Sequence, residues 1–439
     1  MSKKTIIKGT LILTIAGIIT KLLGFYNRIF LTRLIGVKEL GVYQLIFPIY
    51  MLAFSICCQG IATTLTKQVS FYMGKKCPNN AKKIFKYSII ISTTAGTFIS
   101  ILIHIFAYPL SLVILKNTNC APLLKIISIA IPFVCAKSCI NSYFLGIDKP
   151  MFQGISHLFE QVVRISTAYF LSVYWMKDKI NASLAVLAVV TGELFATFLA
   201  ILIFVIYTRK NKHNGSLTHD NPKTLISRLR RDAIPITTNN VIFTLFSSLE
   251  SILMPAMLFY YYNNSETAME MFGIITGIVI PFLLFPSTIT NSLSTMLLPA
   301  VSYASARKNN KAINSALKNS LSFCFLLGVC TWIFYLLFGE TLCIIAFKNK
   351  EAGILLNNMC YLCPLIYISG NLSAIMNGID KAFNNLIFNV ISIIIRIIFI
   401  VSFVPSYGLS AYVLGMTVSY IILDILLLTS VNKRKSGAS

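Results

Sequence analysis

Long apolar segments follow one another along the whole chain. An α-helix needs about 20 residues to cross roughly 30 Å of hydrocarbon, and each segment reaches that length. Charged residues make up only 12% of the chain and hydrophobic residues 56%, too little polar surface for a soluble domain. The pattern predicts an all-α polytopic membrane protein with about twelve transmembrane helices, at residues 9–33, 41–70, 84–107, 122–146, 152–175, 182–208, 230–261, 268–302, 314–338, 351–379, 384–404 and 408–431.

Basic residues are concentrated in alternate loops and at both chain ends, and the net charge is +24. The other loops are poorer in cations and hold acidic residues such as Glu39, Glu266 and Glu340. Cytoplasmic loops of membrane proteins carry an excess of lysine and arginine. We therefore expect a multi-pass protein of the cell membrane with both termini in the cytoplasm. No basic soluble module is visible, so we expect no nucleic-acid partner.

The sequence repeats itself at a constant offset of 232 residues. Pairs of identical residues share this spacing, among them the GIDK tetrapeptides that begin at Gly146 and Gly378, Pro132 and Pro364, and Arg164 and Arg396. Each repeat holds six predicted spans, an even number, so both halves should have the same orientation in the membrane. Transporters with parallel repeats bind their substrate between the two halves, near the midplane.

The repeat sets the predicted domain limits. Residues 1–208 form an N-terminal six-helix lobe and residues 228–439 a C-terminal six-helix lobe. Between them, residues 209–227 contain a polar run with no apolar face to bury, which predicts a cytoplasmic linker.

The first apolar segment carries two cations on one helical face. Gly17, Lys21, Gly24 and Arg28 are spaced so that they share this face. A cation at membrane depth costs at least ~2.5 kcal/mol unless it meets water or a partner. The spacing predicts a wet, positively charged cavity that would attract phosphate, pyrophosphate or carboxylate groups. Alternatively, Arg28 lies late enough in the span to reach the outer surface.

Three further cations are candidates for the same cavity wall. Lys137 lies centrally in the fourth predicted span, and Arg164 and its repeat partner Arg396 lie in the fifth and eleventh. Arg164 can pair with Glu160 at i, i+4, so a self-neutralising pair that only packs is the alternative. Arg396 has Ser392 at the matching position and must find its partner elsewhere.

Three acidic residues, Glu193, Glu250 and Asp424, fall inside predicted spans. Buried carboxylates can carry protons or bind Na⁺, which makes these residues candidates for ion coupling. Pairing with the intramembrane cations is the alternative. No nucleotide-binding loop, catalytic triad or metal-ligand pattern is visible, so we expect neither an enzyme nor a bound cofactor or metal.

Conspicuous residues near the N-terminus are Lys8-Gly9-Thr10, Gly17, Lys21, Gly24-Phe25, Arg28, Arg33, Gly36, Gly41 and Tyr43. Together with the GIDKP turn at residues 146–150, this pattern resembles the stage V sporulation protein B family. That family is part of the multidrug/oligosaccharidyl-lipid/polysaccharide exporter superfamily. The resemblance follows the span order of the whole chain and is most specific in the first seventy residues.

The resemblance implies a V-shaped bundle of two six-helix lobes that opens its cavity alternately to each side. It implies a flippase of the bacterial cell membrane for undecaprenyl-pyrophosphate-linked sugars, such as lipid II or related cell-wall and spore-cortex precursors. Lys21 and Arg28 match the cavity cations of related flippases, although arginine is usual at position 21. Lipid-linked oligosaccharide, membrane lipids and cell-wall synthesis enzymes are the implied partners. Many relatives have fourteen spans, two more than predicted here.

Three other functions remain open at this point. A cation-coupled multidrug antiporter of the same superfamily would need an acidic cavity, whereas the predicted cavity is basic. A capsule or teichoic-acid-type polysaccharide exporter shares the mechanism and differs in cargo. A non-transporting scaffold that recruits wall-synthesis enzymes would not need the cations of the first span.

Overall fold

A computed structural model describes residues 3–75, 77–175, 181–210, 222–306, 310–379 and 381–432. These residues are almost entirely helical and include no strand, which confirms the predicted all-α class. In chain order the helices are α1 Lys3–Leu45, α2 Phe47–Phe54, α3 Gly60–Gly74, α4 Pro78–Ile105, α5 Ala107–Pro109, α6 Cys120–Ser128, α7 Ala130–Gly146, α8 Pro150–Phe170, α9 Ala182–Lys210, α10 Pro222–Tyr262, α11 Ser265–Ile274, α12 Ile280–Leu284, α13 Ser287–Ala306, α14 Asn310–Phe347, α15 Lys350–Met359, α16 Cys363–Gly378, α17 Ala382–Ser402, α18 Val404–Tyr407 and α19 Leu409–Asn432.

Several of these helices continue into one another through wider or tighter turns. Single π-helical turns occur at Ser55–Gln59, Leu110–Ile114, Leu171–Trp175 and Ile275–Val279, and a 3₁₀ turn occurs at Cys360–Leu362. Such turns change the helical register without ending the helix. The predicted second span, residues 41–70, thus runs from the end of α1 through α2 and a π-helical turn into α3.

The described residues contain nine helical stretches that are long and apolar enough to cross a membrane, or ten if α6 and α7, bent by 40°, form one span. The first stretch, Gly17–Gly74, has 58 residues, enough for two crossings at about 1.5 Å per residue. Helix α8 is long enough but is not among them, because its polar residues lower its hydropathy. The chain is thus a multi-pass membrane protein, and twelve spans stay a prediction.

The helices form two compact units. Unit 1 comprises Met1–Ile35 and Leu45–Ser248, and unit 2 comprises Gly36–Gln44 and Leu249–Ser439. The divisions fall inside α1 and α10 rather than at the predicted lobe limits of 208 and 228, which stay a prediction. Most of the predicted linker, residues 211–221, lies outside the described residues.

The sequence repeat is visible in the helix boundaries. Helices α8 and α17 both have 21 residues, and each end of α17 follows the matching end of α8 by 232 residues. The first residues of α4 and α14 have the same separation. Lys116 and Lys348, also 232 apart, both have positive φ angles, 51° and 54°. Equivalent sequence positions in the two units therefore adopt the same local structure.

Gly36 interrupts α1 with a backbone conformation of φ 80° and ψ 170°. This region is open almost exclusively to glycine, because a Cβ atom would clash with the backbone. We expect Gly36→Ala to lower the free energy of unfolding by about 1–3 kcal/mol, measured by thermal unfolding in detergent. Gly370→Ala is the control: Gly370 is helical and nothing lies within 4 Å of its Cβ position. Equal unfolding temperatures for the two variants would contradict the positive φ angle assigned to Gly36.

The apolar core of unit 2 lies where α16 and α19 meet α13 and α14. Buried side chains from these helices pack together, namely Val301, Ile313, Leu372, Ile375, Met376, Ile379, Leu423, Leu427 and Val431. Phe388 of α17 and Tyr420 of α19 pack against its edge. The α16–α19 contact is therefore an apolar, buried environment for any polar group placed beside it.

Candidate functional site

Among the described residues of unit 1, four charged side chains from three helices meet in a buried charge network. These residues are Lys137 of α7, Glu160 and Arg164 of α8, and Glu193 of α9. Lys137 Nζ lies 2.5 Å from both Glu160 Oε2 and Glu193 Oε2. Arg164 Nη2 contacts Glu160 Oε1 and lies 3.0 Å from Glu193 Oε1. Each carboxylate thus bridges both cations.

Local sequence explains how the network forms. Glu160 and Arg164 stand four residues apart, so the helical repeat of α8 places them on one face. Gly192 precedes Glu193, and a Cβ atom added at Gly192 would lie 2.5 Å from Arg164 Cγ. Glycine at this position therefore lets the arginine side chain lie across α9 and reach the next carboxylate.

The network balances its own charge, with two cations and two carboxylates. Lys137, Glu160 and Glu193 are at most 5% exposed, so their mutual attraction is little screened by solvent. The sequence assigned Lys137 and Arg164 to anion binding and Glu193 to ion coupling. The structure brings all three together in one network, and those ligand roles stay predictions.

A cavity of about 230 Å³ opens beside the network. Lys137, Glu160 and Glu193 line it together with two apolar side chains, Phe54 and Val134, and five further polar side chains: Ser138, Asn141, Ser142, Gln153 and His157. His157 Nδ1 lies 3.6 Å from Glu160 Oε2. Hydroxyl and amide groups around a balanced charge network suit a polar, uncharged ligand group.

Sequence reasoning missed Asn141 and Gln153 as cavity residues. Gln153 precedes His157 by four residues, and Glu160 and Arg164 follow on the same helix. The i, i+4 spacing of this polar stripe along α8 was the available signal. Asn141, one turn after Lys137 on α7, carried the corresponding signal on the neighbouring helix.

The two cations of the first span lie on α1 in unit 1, Lys21 exposed and Arg28 half-buried. The Cβ position of Gly24 lies 3.9 Å from Gln161 Oε1, so this face of α1 borders α8. No atom of the part of the chain that the structure describes lies within 4 Å of the Cβ position of Gly17, one turn before Lys21. The helix face that carries the cations is therefore open at its first turn and packed at its next.

In unit 2, Arg396 of α17 forms an ion pair with a residue far away in the sequence. Its Nε atom lies 3.0 Å from Glu250 Oε1 of α10, and both side chains are at most 14% exposed. The guanidinium carbon lies 5.4 Å from the centre of the Tyr420 ring, a cation–π distance. The partner that the sequence required for Arg396 is thus Glu250, itself a predicted coupling residue.

Asp424 of α19 differs from the other predicted coupling residues. It is 7% exposed, and neither carboxyl oxygen has a hydrogen-bond partner among the described residues. Glu193 and Glu250, in contrast, both lie within ion pairs. The structure therefore separates three residues that the sequence had grouped together.

Comparison with known proteins places the chain in a family. The family model described as "Polysaccharide biosynthesis protein" matches residues 6–304. Stage V sporulation protein B of Bacillus subtilis (strain 168) is 26% identical over 439 residues, which cover 99% of this chain and 85% of that protein. The resemblance identified from the N-terminal residues is thereby confirmed.

Solved structures share the fold across almost the whole chain. An inward-facing multidrug resistance MATE family transporter of the MOP superfamily gives a TM-score of 0.72 at 14% identity, covering 95% of both chains. Lipid II flippase MurJ in an inward closed conformation also gives 0.72, at 18% identity, covering 96% of this chain and 87% of that one. The family model matches more than half of the chain, and the fold agrees with that of these solved structures. The chain therefore belongs to the polysaccharide biosynthesis protein family.

Proposed function

We propose that the protein is an alternating-access flippase that moves an undecaprenyl-pyrophosphate-linked sugar from the inner to the outer leaflet of the cell membrane. The observation that carries this proposal is the pair of cations, Lys21 and Arg28, on one face of α1 beside the open turn at Gly17. Ammonium and guanidinium groups bind phosphate oxygens through strong charge-assisted hydrogen bonds. Among the similar proteins, Lipid II flippase MurJ has such a function in its name.

The proposed cycle uses the cations to hold the charged headgroup while the lipid tail stays in the bilayer. Lys21 and Arg28 capture the pyrophosphate from the cytoplasmic side, where both chain termini are expected to lie. The conformational change that exposes the headgroup to the outside must be favoured by differential affinity for the loaded states. The same cations would serve any polyprenyl-pyrophosphate sugar, whichever glycan it builds.

The polar cavity in unit 1 supports a sugar as the second part of the headgroup. Because the charge network is internally balanced, the cavity offers less attraction to a free anion than Lys137 and Arg164 would alone. Asn141, Gln153 and His157 provide donors and acceptors for hydroxyl and acetamido groups. We assign the pyrophosphate to the α1 cations and a sugar ring to this cavity.

A translocation assay tests the proposal. Proteoliposomes would contain fluorescent undecaprenyl-pyrophosphate-sugar, or the same sugar on a lipid without phosphate, and accessibility to an external quencher would report each leaflet. We expect the protein to accelerate translocation of the pyrophosphate lipid and to leave the phosphate-free lipid unaffected. Export of cationic dyes by folded protein that moves neither lipid would instead indicate the multidrug antiporter.

A further inference from the structure

Asp424 differs from the other buried acidic residues that the structure describes, because those residues form ion pairs. Both of its carboxyl oxygens are buried without a hydrogen-bond partner among the described residues, although the residue is only 7% exposed. Glu160 and Glu193 share two cations in unit 1, and Glu250 pairs with Arg396 in unit 2. An acidic group that is buried and unpaired is not explained by folding alone, because burial without a partner is unfavourable.

The helices with the most contacts to α19 provide no available cation. Helices α16 and α18 contain no charged residue, and Arg396 is the one charge in α17. Helix α14, which also contributes to the core of unit 2, carries Lys311 and Lys318 near that core, and both lysines are exposed. Arg396 lies at ion-pair distance from Glu250 and over the ring of Tyr420. Lys381, just before α17, donates a hydrogen bond from Nζ to the carbonyl oxygen of Ser430.

The remaining titratable side chains of α16 to α19 are thiols and phenols, which carry no positive charge in either protonation state. They are Cys363, Tyr367, Tyr407, Tyr412 and Tyr420. An ionised Asp424 would therefore lie beside α16, α17 and α18, whose one cation is already paired with a carboxylate.

Three of the four residues one turn away from Asp424 on its own helix are apolar: Ile421, Leu427 and Leu428, with Tyr420 as the fourth. Leu427 belongs to the core of unit 2, and the Tyr420 ring lies against the Arg396 guanidinium. An ionised carboxylate in such a place loses its hydration and gains nothing in exchange. The carboxyl group is therefore expected to be neutral, with a proton bound.

A proton fits this site better than a metal cation does. Hard cations in proteins are held by several oxygen ligands at once. Among the described residues, no group of three or more histidine, cysteine, aspartate or glutamate side chains could hold a metal ion. The Asp424 oxygens also lack even one hydrogen-bonding neighbour there, whereas a proton needs a single carboxyl oxygen.

We propose that Asp424 is a proton-binding site of unit 2, protonated in the conformation described here and deprotonated when α19 shifts and admits water. One H⁺ binds to a carboxylate oxygen and later leaves from that carboxyl group to water, with no electron transfer. If binding and release occur on opposite sides of the membrane, the site couples proton movement to transport. That coupling rests on the function proposed above, whereas the protonated state does not.

Infrared difference spectroscopy of the purified full-length protein tests the protonated state directly. At neutral pH we expect the C=O stretching band of a protonated carboxyl group, and we expect Asp424→Asn to abolish it. Glu351→Gln is the matched control, because Glu351 is exposed to solvent, and this variant should keep the band. A band that persists in Asp424→Asn, or no band in the wild-type protein, would overturn the proposal.

A second variant covers the case in which Asp424→Asn does not fold. Leucine is neutral and apolar, like the surroundings of Asp424. If Asp424 is protonated, Asp424→Leu should unfold in detergent at neutral pH at the wild-type temperature or above it. A marked decrease in unfolding temperature for Asp424→Leu would show that an ionised, paired carboxylate had been lost, and would contradict the proposal.

Proton coupling is tested in the translocation assay with a pH-sensitive dye inside the proteoliposomes. We expect an imposed pH gradient to change the wild-type translocation rate severalfold, and this response to disappear in Asp424→Asn. If the wild-type translocation rate does not change with the pH gradient, the proposed proton coupling is wrong, whereas the proposed flippase function still holds. Absence of any translocation would overturn the flippase, and the infrared band would still decide the protonation of Asp424.

Discussion

Glu193→Gln is expected to destabilise the protein by about 3–5 kcal/mol, the usual cost of removing one partner from a buried ion pair. The substitution keeps the shape of the side chain and removes one negative charge. Lys137 and Arg164 would then share Glu160 alone, which leaves one buried positive charge uncompensated. The loss is measurable as a lower thermal unfolding temperature in detergent.

Two further variants make this result specific to the network. Lys137→Met combined with Glu193→Gln restores the charge balance, so the double variant should be more stable than the sum of the single losses predicts, by about 0.5–3 kcal/mol. Glu340→Gln is the matched control, since Glu340 is partly exposed and lies 3.8 Å from Lys350; it should cost at most about 1 kcal/mol. Strictly additive losses would argue against a coupled network.

Lys21→Gln combined with Arg28→Gln should weaken binding of the pyrophosphate headgroup at least about 100-fold. A hydrogen bond to a charged group contributes about 1.5–3 kcal/mol, which corresponds to roughly 10- to 150-fold in affinity for each cation lost. The measurement is equilibrium binding of a fluorescent undecaprenyl-pyrophosphate-sugar to protein in detergent. Arg28→Lys should lose less, because it keeps the charge and gives up the bidentate geometry.

Lys67→Gln provides the control for that measurement. Lys67 also belongs to unit 1, but its side chain is 72% exposed and lies 3.8 Å from Asp232. Its loss should change headgroup affinity less than threefold. Equal weakening by Lys67→Gln and by the α1 double variant would indicate a general effect of net charge and would remove the case for a binding site on α1.

Local patterns in the sequence predicted most of the fold. Long apolar runs predicted the positions of most long helices, because a segment that crosses a membrane must form its hydrogen bonds internally, as a helix does. The 232-residue repeat anticipated the matching bounds of α8 and α17. Turn-to-turn spacing placed Lys21 and Arg28 on one face and paired Glu160 with Arg164, since neighbours along a helix are fixed by its period.

Local sequence patterns could not predict contacts between helices that are far apart in the sequence. Lys137 and Glu193 are 56 residues apart, and Glu250 and Arg396 lie on helices separated by most of unit 2. Nothing in helical periodicity says which of several carboxylates a buried cation will meet. The sequence also could not show that Asp424 lacks a hydrogen-bond partner among the described residues, because this depends on how α16 to α19 pack together.

Headgroup translocation by wild-type protein and by the Lys21→Gln/Arg28→Gln variant, measured side by side in proteoliposomes, shows whether transport depends on the cations of α1. We expect wild-type protein to bring the fluorescent undecaprenyl-pyrophosphate-sugar within reach of an external quencher. We expect the double variant, reconstituted in equal amount and with an unchanged unfolding temperature, not to do so. Equal translocation rates for the two proteins would contradict a flippase that works through the cations of α1.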